Sequence, residues 1–146
     1  MFDFAGHDTL VCNLAYGSLV FCLLGYPDKA LRMNGEAATR ARQRTHSDSR
    51  AMHHFYTAML HQLRQEPELV NEHARRTHEE AKEPGLQQRL ITARIMDGWA
   101  CVRLGHKLGG VERIEAGLIA WEKSRTELYR SYFLGVFADA LRHVKD

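Results

Sequence analysis

The chain has 146 residues, and its 20 Lys plus Arg stand against 18 Asp plus Glu for a formal charge of +2. That near-balance argues against a nucleic-acid binder, which needs a strongly basic face, and 45% apolar residues are too many for a disordered chain. Eleven glycines and 3 prolines rule out collagen-like and linker-like classes.

The first expected element is a helix over 8–24. From Thr9 to Pro27 no residue is charged, and a run of about 20 apolar residues can span a bilayer. Here Thr9, Asn13, Ser18 and two glycines interrupt it. The residues before it carry Asp3 and Asp8 with no Lys or Arg, unlike a signal peptide. A buried helix outside any membrane is therefore expected. Cys12, Cys22 and Cys101 are odd in number and form no CxxC pair. Reduced thiols in the cytoplasm are the expectation.

Gly25 suits a tight turn, and Pro27 can open a second helix (27–44), where its missing N–H costs nothing. Arg40, Arg42 and Arg44 gather near the end of that helix. The helix dipole explains them there, although they could also meet phosphate. Ser47-Asp48-Ser49 is an expected N-cap for a third helix over 48–64. Its stripe of Phe55, Ala58, Met59 and Gln62 follows helical spacing. Pro67 opens a fourth helix (67–82) with Val70, Ala74, Thr77 and Ala81 inward. Glu68, Glu72, Arg75, Arg76, Glu79 and Glu80 form its solvated face. Pro84-Gly85 breaks the chain before helices over 86–104 and 108–122, the latter carrying Gly110, Ile114, Gly117 and Trp121 on one stripe. A last helix is expected over 125–143.

These elements share an offset of 40 residues. Pro27 and Pro67 coincide under it. Small residues recur as Ser18, Ala58, Gly98 and Ala138, then as Ala30, Val70 and Gly110, then as Ala37, Thr77 and Gly117. Small side chains at fixed offsets mark places where two helices cross closely. The expected architecture is one all-α domain over 1–146, an α-α superhelix. Three helical hairpins (8–44, 48–82 and 86–122) would stack to bury faces that none can bury alone, with the final helix beside them.

The small residues together with Leu24-Gly25 and Leu104-Gly105 resemble the tetratricopeptide repeat family, whose period is about 34 residues. The longer spacing here means longer helices, and the family's usual Trp and Tyr positions and end-of-repeat proline are not kept. A second resemblance is carried by Gly6-His7-Asp8, Leu23-Leu24-Gly25-Tyr26-Pro27-Asp28-Lys29-Ala30-Leu31, Leu60-His61-Gln62-Leu63 and Ile114-Glu115-Ala116-Gly117-Leu118. These runs are similar to the C-terminal helical-repeat region of bacterial signalling proteins in which a class III adenylate/guanylate cyclase domain and an ATPase precede the repeats. That resemblance covers nearly the whole chain. It implies a scaffold or sensor module and carries no catalytic residue.

In such a stack the first helix of each hairpin lines a groove. The expected lining is Met52, Phe55, Tyr56, Met59, Met96, Trp99 and Tyr132, an aromatic and Met-rich set suited to a peptide or an amphipathic helix. Arg94 and Arg103 are expected near its rim as solvated charge. On the last helix, Tyr129, Phe133, Val136 and Phe137 form an apolar face expected to pair two copies of the chain. Of the 9 histidines, His54 and His61 share a helical face, and Cys101 lies one offset beyond His61. HExxH, GxSxG and a phosphate loop are absent from the sequence, so neither a metal site nor a catalytic set is expected. The functional expectation is a non-enzymatic scaffold without cofactor that binds a protein or peptide partner and pairs with itself. The alternative is a sensor of a small apolar ligand in the groove.

Overall fold

The computed structural model describes residues 8–43 and 46–145, and among them seven helices and no strand. These are α1 (Thr9–Leu23), α2 (Pro27–Arg42), α3 (Ser47–Leu63), α4 (Pro67–Glu80), α5 (Gln87–Arg103), α6 (Lys107–Lys123) and α7 (Arg130–Lys145). Arg44, and the Gly6-His7 pair of the second resemblance, lie outside the described residues.

The turns that join α1 to α2, α3 to α4 and α5 to α6 have one design. Each first helix ends in a residue with left-handed backbone: Gly25 (φ 85°), Gln65 (φ 61°) and Gly105 (φ 99°). The next N–H then reaches back five residues, Tyr26 to the Phe21 carbonyl at 2.9 Å, Glu66 to His61 at 3.0 Å and His106 to Cys101 at 2.9 Å. This is the Schellman closure, which satisfies carbonyls that a helix end leaves orphaned. Pro27 and Pro67 follow at the first position of α2 and α4. The three turns fall at intervals of 40 residues, where the sequence offset puts them.

Helix α3 is the centre. It packs on α1, α2, α4 and α5, and nearly all of its side chains are buried. The expected inward stripes are buried throughout: Phe55, Ala58, Met59 and Gln62 on α3; Val70, Ala74 and Thr77 on α4, with Ala81 at its C-cap; and Gly110, Ile114, Gly117 and Trp121 on α6. The small residues other than Ala138 are buried, and those of α5 and α6 sit at a helix crossing. A methyl group at Gly98 would meet the Gly110 carbonyl oxygen at 2.7 Å, and one at Gly110 would meet the Gly98 carbonyl at 2.6 Å. The backbones of α5 and α6 therefore touch there.

Three expectations fail locally. Ser47-Asp48-Ser49 is not an N-cap. His46 holds that position and makes no side-chain capping hydrogen bond. The Ser49 hydroxyl instead accepts from the Asp8 N–H at 2.9 Å, and the Asp48 carboxylate binds Arg89 at 2.9 Å. The true side-chain cap is Asp8, whose carboxylate accepts from the Leu10 and Val11 N–H groups and binds Arg40 at 3.1 Å. The last helix begins at Arg130, not at 125. Arg125 and Tyr129 adopt left-handed backbone (φ 56° and 65°), which breaks the helical run. Ala138 faces solvent, because no described helix crosses α7 on that side.

Candidate functional site

The residues expected to line an open groove are closed over by α7. Met52, Phe55, Tyr56, Met59, Met96 and Trp99 are buried, and Tyr132 points in among them. The Tyr132 hydroxyl donates to the Gln62 side-chain oxygen at 3.0 Å. Burial raises its pKa well above the ordinary tyrosine value. The Trp99 indole N–H donates to Asp139 at 2.8 Å, and the Arg103 guanidinium lies over the indole ring at 5.2 Å while reaching Asp139 at 3.6 Å. Burial pushes the Asp139 pKa up, but the Trp99 bond and the neighbouring His143, Arg142 and Arg103 outweigh it and hold the carboxyl below its usual value.

The face expected to pair two copies is the same face that fills the groove. Phe133 is 0% exposed and Val136 2% exposed, both within the chain. Phe133 packs against Phe55 and edge-on to Trp121, and the hydroxyls of Tyr129 and Tyr56 meet at 2.5 Å. Phe133 and Val136 are therefore committed inside the chain, and Tyr129 and Phe137 are half-buried against the same core. The reason is that α7 packs on α5 and α6, and from there Phe133 reaches Phe55 of α3.

The histidines of α3 and α4 form a seam. Nδ1 of His54 faces Nδ1 of His73 at 3.0 Å, His61 stacks on His73 with ring centres 5.6 Å apart, and His53 lies beside His54. Burial depresses His53 and His73 to about 4 and His54 to about 3, helped by the neighbouring rings and by Arg42, Arg50 and Arg76. His61 instead pairs with Glu66 at 2.6 Å, and Cys101 contacts Asp97 and Arg113. His54, His61 and Cys101 do not converge. Among the described residues no three His, Cys, Asp or Glu side chains are placed to hold a metal.

An open hollow of about 330 Å³ lies where α4, α5 and α6 meet. Asn71, Arg75 and His78 of α4, Arg94 and Asp97 of α5, and Arg113 of α6 surround it, with Ala74 and Ala93 as its apolar floor. Asp97 accepts from the Asn71 amide at 2.9 Å and from the Arg113 guanidinium. Arg113 also touches the Cys101 sulfur at 3.2 Å, and its bond to Asp97 keeps its pKa above the ordinary arginine value. Sequence reasoning placed Arg75 on a solvated face and Arg94 at the rim of another groove. The missed signal is the small residue Ala93, which the 40-residue offset sets between two buried rings, His53 and Phe133.

Compared with known proteins, the chain matches no family model, no curated protein and no solved structure. Among the described residues no helix is long and apolar enough to cross a membrane.

Proposed function

We propose that the chain is a non-enzymatic scaffold for a protein partner, built as three tetratricopeptide-like hairpins stacked in a superhelix with α7 as the closing helix. The setting is bacterial signalling in the cytoplasm, in keeping with the two resemblances. The docking surface is the edge that carries the hairpin turns. The observation behind this reading is the apolar character of that edge. Leu23 is 72% exposed, Leu24 63%, Tyr26 59% and Leu108 74%, and Leu104 is exposed beside them. Exposed apolar surface rimmed by charge marks an interaction site, and the two apolar turns flank the charged Arg64 and Glu66 of the middle turn. The residues that the alternative reading would use for a small apolar ligand are buried.

The test is affinity capture with the native chain and with Leu24→Glu/Leu108→Glu. Both residues are solvent-facing, so the variant folds. A partner held by the native chain and lost by the variant supports the edge, and equal capture by both removes it. A second copy remains a proposed partner through the outer side of α7, where Leu134 and Leu141 are exposed. A single species of monomer mass in sedimentation at high concentration excludes that pairing.

A further inference from the structure

From the hollow between α4, α5 and α6 we infer a binding site for a small ligand that carries a carboxylate or phosphate oxyanion on a short apolar body. This site is independent of the apolar edge, and the two stand or fall separately.

The floor position is Ala93, buried at 3% exposure. At the matching offset α3 has His53 and α7 has Phe133, both buried rings. A methyl group in place of a ring leaves the space under α4 unfilled, and Ala74 across from it is equally small. The resulting volume of about 330 Å³ is at the lower end of what ligand pockets offer.

Arg75, Arg94 and Arg113 bring three guanidinium groups against the single carboxylate of Asp97. Asp97 is already engaged by Asn71 and Arg113, so it holds those two side chains in place and does not neutralise the remainder. Arg75 reaches only Glu79 on its own helix at 2.5 Å, with both side chains about half exposed, and such surface pairs contribute little. Arg94 has no hydrogen-bond or ion-pair partner among the described residues. Arg94 and Arg113 stand one offset beyond His54 and His73, whose ring nitrogens meet across the α3/α4 seam. Where the earlier seam brings two neutral rings together, this one brings Arg94 and the Asp97-paired Arg113 to one mouth. An anion at that mouth would pair with Arg94, the cation that the described residues leave unpartnered. The planar guanidinium fork matches the paired oxygens of a carboxylate or phosphate. The alanine floor takes the apolar part of the ligand, and the Asn71 amide and His78 ring add polar contacts at the wall.

The experiment titrates the full chain with inorganic phosphate and, separately, with hexanoate, each at fixed ionic strength against chloride. Amide and arginine Nε–H shifts are followed by NMR. The expected result is a saturable response to at least one probe, confined to Asn71, Arg75, Ala93, Arg94, Asp97 and Arg113. Phosphate alone, hexanoate alone, or both, then identifies which source of oxyanion the site takes. Arg94→Gln is expected to weaken binding about tenfold or more, because a charge-assisted contact is lost. Ala93→Phe is expected to abolish binding by filling the floor. Because Ala93→Phe is a buried change, Arg94→Gln at an exposed position serves as the variant whose fold is secure. The inference is overturned if neither probe saturates, if shifts spread over the surface arginines generally, or if folded Arg94→Gln binds as tightly as the native chain.

Discussion

Gln65 shows how one residue can carry a conformation it is not suited to. Its φ of 61° matches the role that Gly25 and Gly105 play in the two sister turns. A side chain in left-handed backbone costs about 1–2 kcal/mol, while glycine adopts that backbone freely. In partial return the Gln65 side chain donates to the Gln62 carbonyl at 3.0 Å and accepts from Arg103. Both contacts lie near solvent, so their net worth is small. Gln65→Gly is therefore expected to stabilise the chain by about 0.5–1 kcal/mol. Urea denaturation reads this directly, and a loss of stability would show that the Arg103 contact outweighs the strain. The turns were readable at Gly25 and Gly105 because glycine advertises positive φ, and at Pro27 and Pro67 because proline suits a first helical turn. Gln65 gave no such sign, and its turn was legible from Pro67 and the offset. Asp8 was missed as a cap for a different reason. Its partners Arg40 and Ser49 are distant in sequence, whereas the Ser47-Asp48-Ser49 cluster looked like a local cap and had its side chains drawn off to Asp8 and Arg89.

At the scale of elements, the α5/α6 pair rests on glycine for closeness. Gly98 and Gly110 face each other so tightly that a methyl at either meets the other's carbonyl, and one at Gly117 runs into the Ile95 side chain. Gly109, the neighbour of Gly110 in α6, has nothing within 4 Å of where its Cβ would stand. The two positions share a helix and a propensity gain of about 1 kcal/mol on replacement by alanine. Only the contact differs. Gly109→Ala is expected to stabilise by about 0.5–1 kcal/mol. Gly110→Ala is expected to destabilise by about 1–3 kcal/mol, since overpacking pushes the helices apart. Thermal melts of the two variants side by side check this, and melting temperatures that move in the same direction would remove the close crossing. The small residues on α5 and α6 were legible because burial against a neighbouring helix is written in helical spacing. Ala138 broke the pattern, since the same spacing occurs on a face that no described helix covers.

Across the whole molecule, the helices were legible while the fate of the inner face was not. Helical periodicity shows which side of α7 is apolar, but Tyr129, Phe133 and Val136 suit a neighbour in another chain as well as α3 and α5 of their own. The loop over 124–129 decides between them, and its left-handed Arg125 and Tyr129 carry no glycine to announce the turn. The histidine seam was likewise unreadable, because burial, not spacing, sets its behaviour. His53, His54 and His73 are held neutral by burial, at about 4, 3 and 4 against an ordinary 6.5. The groups around them mostly reinforce this: Arg42 near His53, Arg50 and Arg76 near His54, and Arg76 near His73, opposed by Glu72 alone. The sign follows from proton counting. Between pH 6.5 and about 4 the unfolded chain takes up protons on these rings and the folded chain does not, so stability rises with pH through that window. It is fully present above 6.5 and falls as the solution is acidified. From pH 7.5 to pH 5.0, each ring that stays neutral is expected to cost about 2 kcal/mol, with the three rings coupled and less than additive. The carboxylates Glu66 and Asp139, also depressed, add a loss of the same sign as the pH falls toward their ordinary values. Urea midpoints at the two pH values measure the loss, and His54→Gln/His73→Gln should shrink it. A native chain equally stable at both values would mean that these rings are hydrated and free to take protons, and that the α3/α4 seam is open.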